Sequence, residues 1–252
     1  MKLLKYIIPV LLLAQMSCKK DPFLYQKGSD TMYITSDNIL SFKLLADTAT
    51  RGVVNMYATV VGNSVPYDRT FTVEIDSSLT NVSLSDYTIG TCVIPANSYH
   101  ATIPITVKRT LSSGLNIKTV NTIAKLALRF VPNENFGQAV ANNSDNDYPT
   151  EVSIQWCDYL TKPSSWNGSI TYYIGPFKQS RYKFIRDYTG ITDFDAAGIT
   201  VPNSNYVQDM QKLFWLQAVL MNYLSVYNAT HTTPYMNDDG VTPLKFGTGL
   251  SV

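Results

Sequence analysis

From Thr31 to Cys157, apolar and polar residues alternate with a period of two or form short apolar runs between turn residues. That pattern marks half-buried β-strands. Met32–Ile34, Ile39–Leu45 and Val53–Val61 open the series, and Gly62-Asn63 closes the third run. Thr70–Ile75 puts Phe71, Val73 and Ile75 on one face, with Thr72 and Glu74 on the other. Cys92–Ile94 stops at Pro95, before a turn at Asn97-Ser98. Ala101–Val107 aims Ile103, Ile105 and Val107 one way, and Pro104, which lacks an N–H, predicts an edge strand there. Ile123–Val131 and Val152–Trp156 complete the set. Roughly seven to nine short strands with no helix between them predict an antiparallel, immunoglobulin-like β-sandwich over residues 30–158.

The pattern changes in the last third. Gly175-Pro176 predicts a helix start, Phe177, Arg181, Phe184, Ile185 and Tyr188 follow at helical spacing, and Gly190 ends the run. A second helix is predicted over Asn203–Asn228. Its broad apolar stripe is Tyr206, Met210, Leu213, Phe214, Leu220, Met221, Leu224 and Tyr227. Polar residues recur through this segment and argue against a membrane span. The tail from Thr232 to Val252 reads as loop. Residues 159–252 are thus expected to form a small α-helical appendage with two helices and a loop-rich tail.

The first residues read as a targeting segment. Lys2 and Lys5 precede an apolar run, Tyr6–Ala14, that is too short to span a bilayer, and Ser17-Cys18 closes it. This predicts a signal peptide over residues 1–17, lipidation at Cys18 and a tether over residues 18–29. The segment resembles a bacterial lipoprotein signal, departing from it at Gln15. Each acyl methylene buried from Cys18 would add about 0.8 kcal/mol to membrane binding. Lys19-Lys20-Asp21-Pro22 resembles the export signals of Bacteroidetes-type lipoproteins. That resemblance implies an outer-membrane, lipid-anchored protein facing the cell exterior.

Composition narrows the chemistry. The chain has 252 residues, 45% hydrophobic and 15% charged, with 17 tyrosines and a net charge of +1. So small a net charge gives no electrostatic footprint for nucleic acid. Neither His100 nor His231 has a metal-type neighbour at i+2 to i+4, so no metal and no cofactor is expected. No nucleophile elbow and no glycine-rich phosphate loop is present, and no catalytic residue is assigned. Asp145-Asn146-Asp147, and Asp193 with Asp195, offer oxygen ligands without the spacing of a calcium loop; they read as solvated loops. Asp238-Asp239-Gly240 reads as a turn. Cys92 and Cys157 lie in strand-like runs; buried free thiols are the favoured reading, and a disulfide in an oxidising compartment is the alternative. Trp166, Tyr172 and Tyr173 fall in a polar loop between the sandwich and the first helix. Exposed there, they would stack on a sugar or a partner protein; buried, they would seal the junction.

Two resemblances join these readings. Asp86-Tyr87-Thr88, then Val93-Ile94-Pro95-Ala96-Asn97, then Ile103 to Arg109 resemble the Calx-beta sandwich module. Pro132-Asn133-Glu134-Asn135-Phe136 sits at that module's Glu-rich loop. In such a module Asp86 would hold a turn through backbone bonds and Tyr87 would cap the core. Leu160 to Pro163, Trp166, Ile174 to Phe177, Tyr182 to Ile185 and Thr189-Gly190 extend the likeness. Together they resemble a family of Bacteroidetes surface lipoproteins known as a domain of unknown function, over roughly residues 29–194. The resemblance implies a non-catalytic binding or accessory protein that captures a glycan or peptide beside an outer-membrane nutrient transporter. A fimbria-like assembly subunit and a hydrolase are the alternatives.

Overall fold

The computed structural model of the chain describes residues 30–137, 149–199 and 206–247. The signal peptide, Cys18, the tether, Asp145 and Asp147 lie outside the described residues. The fold is mainly β. Among the described residues ten strands come first: β1 (Thr31–Ser36), β2 (Leu40–Ser41), β3 (Arg51–Val61), β4 (Arg69–Thr70), β5 (Thr72–Ile75), β6 (Tyr87–Ile89), β7 (Val93–Ile94), β8 (His100–Lys108), β9 (Ala124–Val131) and β10 (Glu151–Cys157). Three helices follow: α1 (Gly168–Ile174), α2 (Gln179–Thr189) and α3 (Tyr206–Thr230).

The strands form two four-stranded sheets, in the orders β1-β3-β8-β6 and β2-β10-β9-β5, and a two-stranded pair, β4-β7. All pairings are antiparallel except β10 with β2, which is parallel. Alternation makes the core. Val54, Met56, Ala58 and Val60 of β3 and Ile103, Ile105 and Val107 of β8 are buried in one cluster with Leu126, Leu128 and Phe130 of β9 and Ile154 and Trp156 of β10. A one-residue slip of register would turn these side chains to solvent, so the period-two pattern holds the register.

Two strand expectations need correction. β8 is an interior strand, paired with β3 on one side and β6 on the other. Pro104 is tolerated because β6 ends at Ile89, opposite Ile105. The Pro104 carbonyl accepts from Gly90 N at 2.9 Å, so its missing N–H faces the place where the ladder has already stopped. The run at residues 70–75 is not one strand. It breaks at Phe71, so Arg69–Thr70 pairs with β7 while Thr72–Ile75 pairs with β9. Phe71 is buried, but Ile75 at the far end is exposed.

Asp86 does more than hold a turn. Its side chain is fully buried and accepts from Ser83 N at 3.0 Å and from Ser112 N and Oγ, each at 2.7 Å. Burial pushes its carboxyl upward, but these hydrogen bonds outweigh burial and leave it below the usual carboxylate range. Tyr87 is half-buried against the core, and β6, which begins at Tyr87, was not legible from its short sequence.

The helical part has its own core. Leu160, Trp166, Ile170, Tyr182, Phe184, Ile185, Phe194, Leu213, Leu216 and Leu220 are buried together, and Leu244 and Phe246 of the tail join them. Three helices stand where two were expected. Asn167 caps α1 by accepting from Ser169 N and Ile170 N. Gly175 ends α1, and Gly190, in the left-handed region at φ 74°, ends α2. α2 starts at Gln179, three residues beyond Pro176, and has no local side-chain cap. Its first N–H groups are held from the tail: Asp238 accepts from Gln179 N at 2.9 Å and Ser180 N at 2.5 Å. Arg181, buried, donates to the carbonyls of Pro176 and Lys245 and ties the tail down a second time.

Candidate ligand-binding clefts

The β part and the helical part meet at β2, at the residues just after it and at the end of β10. Ser41 Oγ donates to Tyr159 O at 2.5 Å, and Arg186 Nη1 of α2 donates to Lys43 O at 2.7 Å. Beneath them Arg109 holds Asp158 through two bonds, Nε–Oδ2 at 2.9 Å and Nη2–Oδ1 at 2.8 Å. The Asp158 side chain is fully buried. This pair joins the end of β8 to the end of β10, and Arg109 also donates to Asp47 O at 2.8 Å. The carboxylate holds the Arg109 guanidinium above its ordinary range.

A cleft of about 570 Å³ runs along the junction, with residues from the β1–β2 connection, β10, the 161–164 connection and the turn after α2 on its walls. Asp37 is committed to structure there: it accepts from Asn55 N at 2.9 Å and Tyr57 Oη at 2.6 Å. That hydrogen bond, with the nearby charge, pushes the Tyr57 phenol up. Asp193, also on the wall, accepts from Asp195 N and Ala196 N and so closes a turn. Asn38, Thr161, Lys162 and Ser164 line the cleft and make no side-chain hydrogen bond among the described residues. Leu44 adds an exposed apolar contact. Amide, hydroxyl and amine groups beside one apolar patch suit a polar ligand held by hydrogen bonds. A second cleft, of about 440 Å³, carries Lys43, Lys118, Lys183 and Arg186, with Asp47 and Asp158. Lys183 and Arg186 are both paired with Asp187.

The three aromatic candidates are not brought together as surface rings. Trp166 is 1% exposed, with Phe177, Tyr182 and Phe194 edge-on to it at 5.3, 6.0 and 5.4 Å. Its Nε1 donates to Gly175 O at 3.2 Å, so it is spent on the helical core. Tyr172 and Tyr173 lie on α1 rather than in a loop. Tyr173 is buried, while Tyr172, on the other face of α1, is 56% exposed. Cys92 and Cys157 are free thiols in the structure, the first half-buried and the second buried. Their Sγ atoms meet Gly90 O and Tyr159 O, and burial pushes both thiols up, away from reactivity. His100 is exposed on Thr59, and His231 is stacked on Tyr227 at 3.8 Å. Among the described residues no group of three metal-ligating side chains converges.

Sequence reading missed one surface. On α3, Phe214 and Met221 are exposed although the stripe included them, and Trp215 is 62% exposed. Only the face with Leu213, Leu216, Leu220 and Leu224 is buried in the helical core. The signal was present: apolar residues at consecutive positions 213–216 cannot all share one helical face.

Comparison with curated proteins gave no match. Among solved structures, the chain is similar to one described as a "putative carbohydrate binding protein" from Bacteroides ovatus ATCC 8483, at 7% identity and a TM-score of 0.34. The similarity covers 52% of this chain and 37% of that one. A likeness of that size bears on neither mechanism nor ligand. A family model described as a domain of unknown function, DUF4843, matches residues 19–191, which takes in every strand and α1 and α2 and stops before α3. The chain belongs to the DUF4843 family.

Proposed function

We propose that this protein is a non-catalytic binding protein of the outer-membrane surface, anchored by lipid at Cys18, which takes a glycan or peptide in the cleft between its β part and its helical part. The observation that carries the reading is the position of that cleft. The described chain enters at Asp30, where Arg69 Nη1 bonds Asp30 Oδ2 at 2.6 Å and Asn63 N bonds Oδ1 at 3.1 Å. Six residues of β1 then lead to Ser36 and the cleft, a rise of about 20 Å. A tether attached at Asp30 therefore approaches one end of the β part, and the cleft opens at the other. An anchor at Cys18 would leave the cleft and helices pointing outward.

The strand orders support an immunoglobulin-type sandwich. β1-β3-β8-β6 corresponds to the ABED sheet of that fold, and β10-β9-β5 to its GFC sheet. β2, parallel to β10, extends the second sheet. A frame of this kind presents loops at its ends, where ligands are met. Placement beside an outer-membrane transporter belongs to the same proposal and rests on the family resemblance.

The test is glycan-array and peptide-array binding by the full chain extracted in mild detergent, together with surface labelling of intact cells at an introduced Thr232→Cys. Retention of one ligand class and labelling without lysis are expected. An absence of binding to either array, or labelling only after lysis, would overturn the proposal.

A further inference from the structure

The exposed face of α3 has a pattern of its own. Reading outward-facing positions at spacings of three and four gives Gln211, Phe214, Ala218, Met221, Ser225 and Asn228, all exposed. Large and small side chains alternate along this seam, with an amide at each end. The seam carries no charge. Lys212, next to Gln211 in sequence, is turned back and donates to Gly198 O at 2.6 Å.

We propose that this face pairs with the same face of a second copy, the two α3 helices running antiparallel across a two-fold axis between Val219 and Leu220. In that register Phe214 meets Ser225, Ala218 meets Met221 and Gln211 meets Asn228. Each large residue faces a small one, with the half-exposed Phe214 already braced edge-on by Tyr173 at 4.9 Å, and Gln211 faces Asn228, whose Oδ1 accepts from Tyr235 N at 2.9 Å and whose amide N–H groups alone are left for the pair. A two-fold interface must be complementary to itself, and this face is. The spacing of three and four is the one that seats knobs in holes at a shallow crossing angle.

Area agrees with this occupant. Phe214, Trp215 and Met221 are 52%, 62% and 51% exposed. Their open surface comes to roughly 350 Å², in the range where an apolar patch marks an interaction site. With the flanks that a helix pair covers, the total is on the order of 1,000 Å², the size of a weak dimer rather than an obligate one. Trp215, beside the seam, is the residue type that most often anchors such contacts.

The experiment is disulfide trapping of the full chain in isolated outer membranes. A218C/M221C should give a covalent dimer on mild oxidation, because those positions face each other across the axis. Q211C, on the same seam but opposite Asn228, should stay monomeric, as should the parent chain with its two shielded thiols. F214K in the A218C/M221C background should cut the yield at least about tenfold, since it places a charge in an apolar contact. Maleimide labelling checks that the new thiols are open in each variant. Labelled thiols that yield no dimer would overturn the proposal, and so would equal trapping of Q211C. Thiols closed to maleimide in a monomer would also overturn it, by showing that the chain covers its own face. Flotation of the protein on phosphatidylethanolamine vesicles, abolished by W215A with no dimer trapped, would assign the face to a bilayer instead and overturn it equally.

Discussion

The β part and the helical part solve the same problem of burial in different ways. In the β part, side chains alternate between core and solvent, and aliphatic residues such as Ile103, Ile105 and Val107 fill the interior. Its polar interior is small, and within it Asp86 is held by hydrogen bonds from Ser83 and Ser112. The helical part is built on aromatic edges around Trp166, with a tail strapped over it by Asp238 and Arg181. It also leaves a large apolar face on α3 outside its own core. The lesson is that the β part reads as a frame, whereas the helical part carries surface beyond what its own folding uses.

The sharpest way to break this contrast is Trp166→Ala. Removing that ring should cost about 3–5 kcal/mol and collapse the helical part while the β part keeps its sheets. Hydrogen exchange resolved by segment would show this; equal loss of protection in β3 and β8 would make the two parts one cooperative unit. Arg109→Met comes next, at about 3 kcal/mol, because it strands the buried Asp158 carboxylate where the two parts join. Its midpoint in urea should fall, and Arg109→Met/Asp158→Leu should recover much of the loss. Gly90→Ala tests the frame alone. A Cβ there would lie 2.9 Å from Pro104 O, and the expected cost is roughly 1–3 kcal/mol with the helices untouched.

The smallest effect is a difference in pH response. Burial pushes Tyr182 and Tyr235 of the helical part up to about 12. Unfolded tyrosine ionises near pH 10, so the helical part keeps its full stability below that and loses it as pH climbs through about 12. Asp86 in the β part has the opposite sign. Its folded value is depressed, so its contribution is present above about pH 4 and fades as pH falls through the folded value. Near-ultraviolet circular dichroism across both limbs would check this, with Tyr235→Phe expected to flatten the alkaline limb.

Much of the frame was legible because a period of two admits few readings. The runs around β3, β8, β9 and β10 were found within a residue or two of their bounds. What failed was pairing. Nothing in the residues alone says that Phe71 marks a change of sheet, or that a strand with Pro104 sits inside one. Both depend on where a neighbouring strand ends. The site was less legible still. Trp166, Tyr172 and Tyr173 share a sequence neighbourhood, but the rotation of about 100° between neighbouring helical positions sends Tyr173 inward and Tyr172 outward. The cleft could not be seen at all, since Asn38, Lys162 and Ser164 become neighbours only when the helical part docks on the end of β10.

The most direct measurement is the affinity of Asn38→Trp for the ligand that the arrays identify. Asn38 is exposed on the cleft wall, so an indole there fills the opening without entering either core. If the cleft is the binding site, affinity falls at least about a hundredfold, with the thermal midpoint unchanged. An affinity equal to that of the parent chain would contradict the account and move the site elsewhere on the molecule.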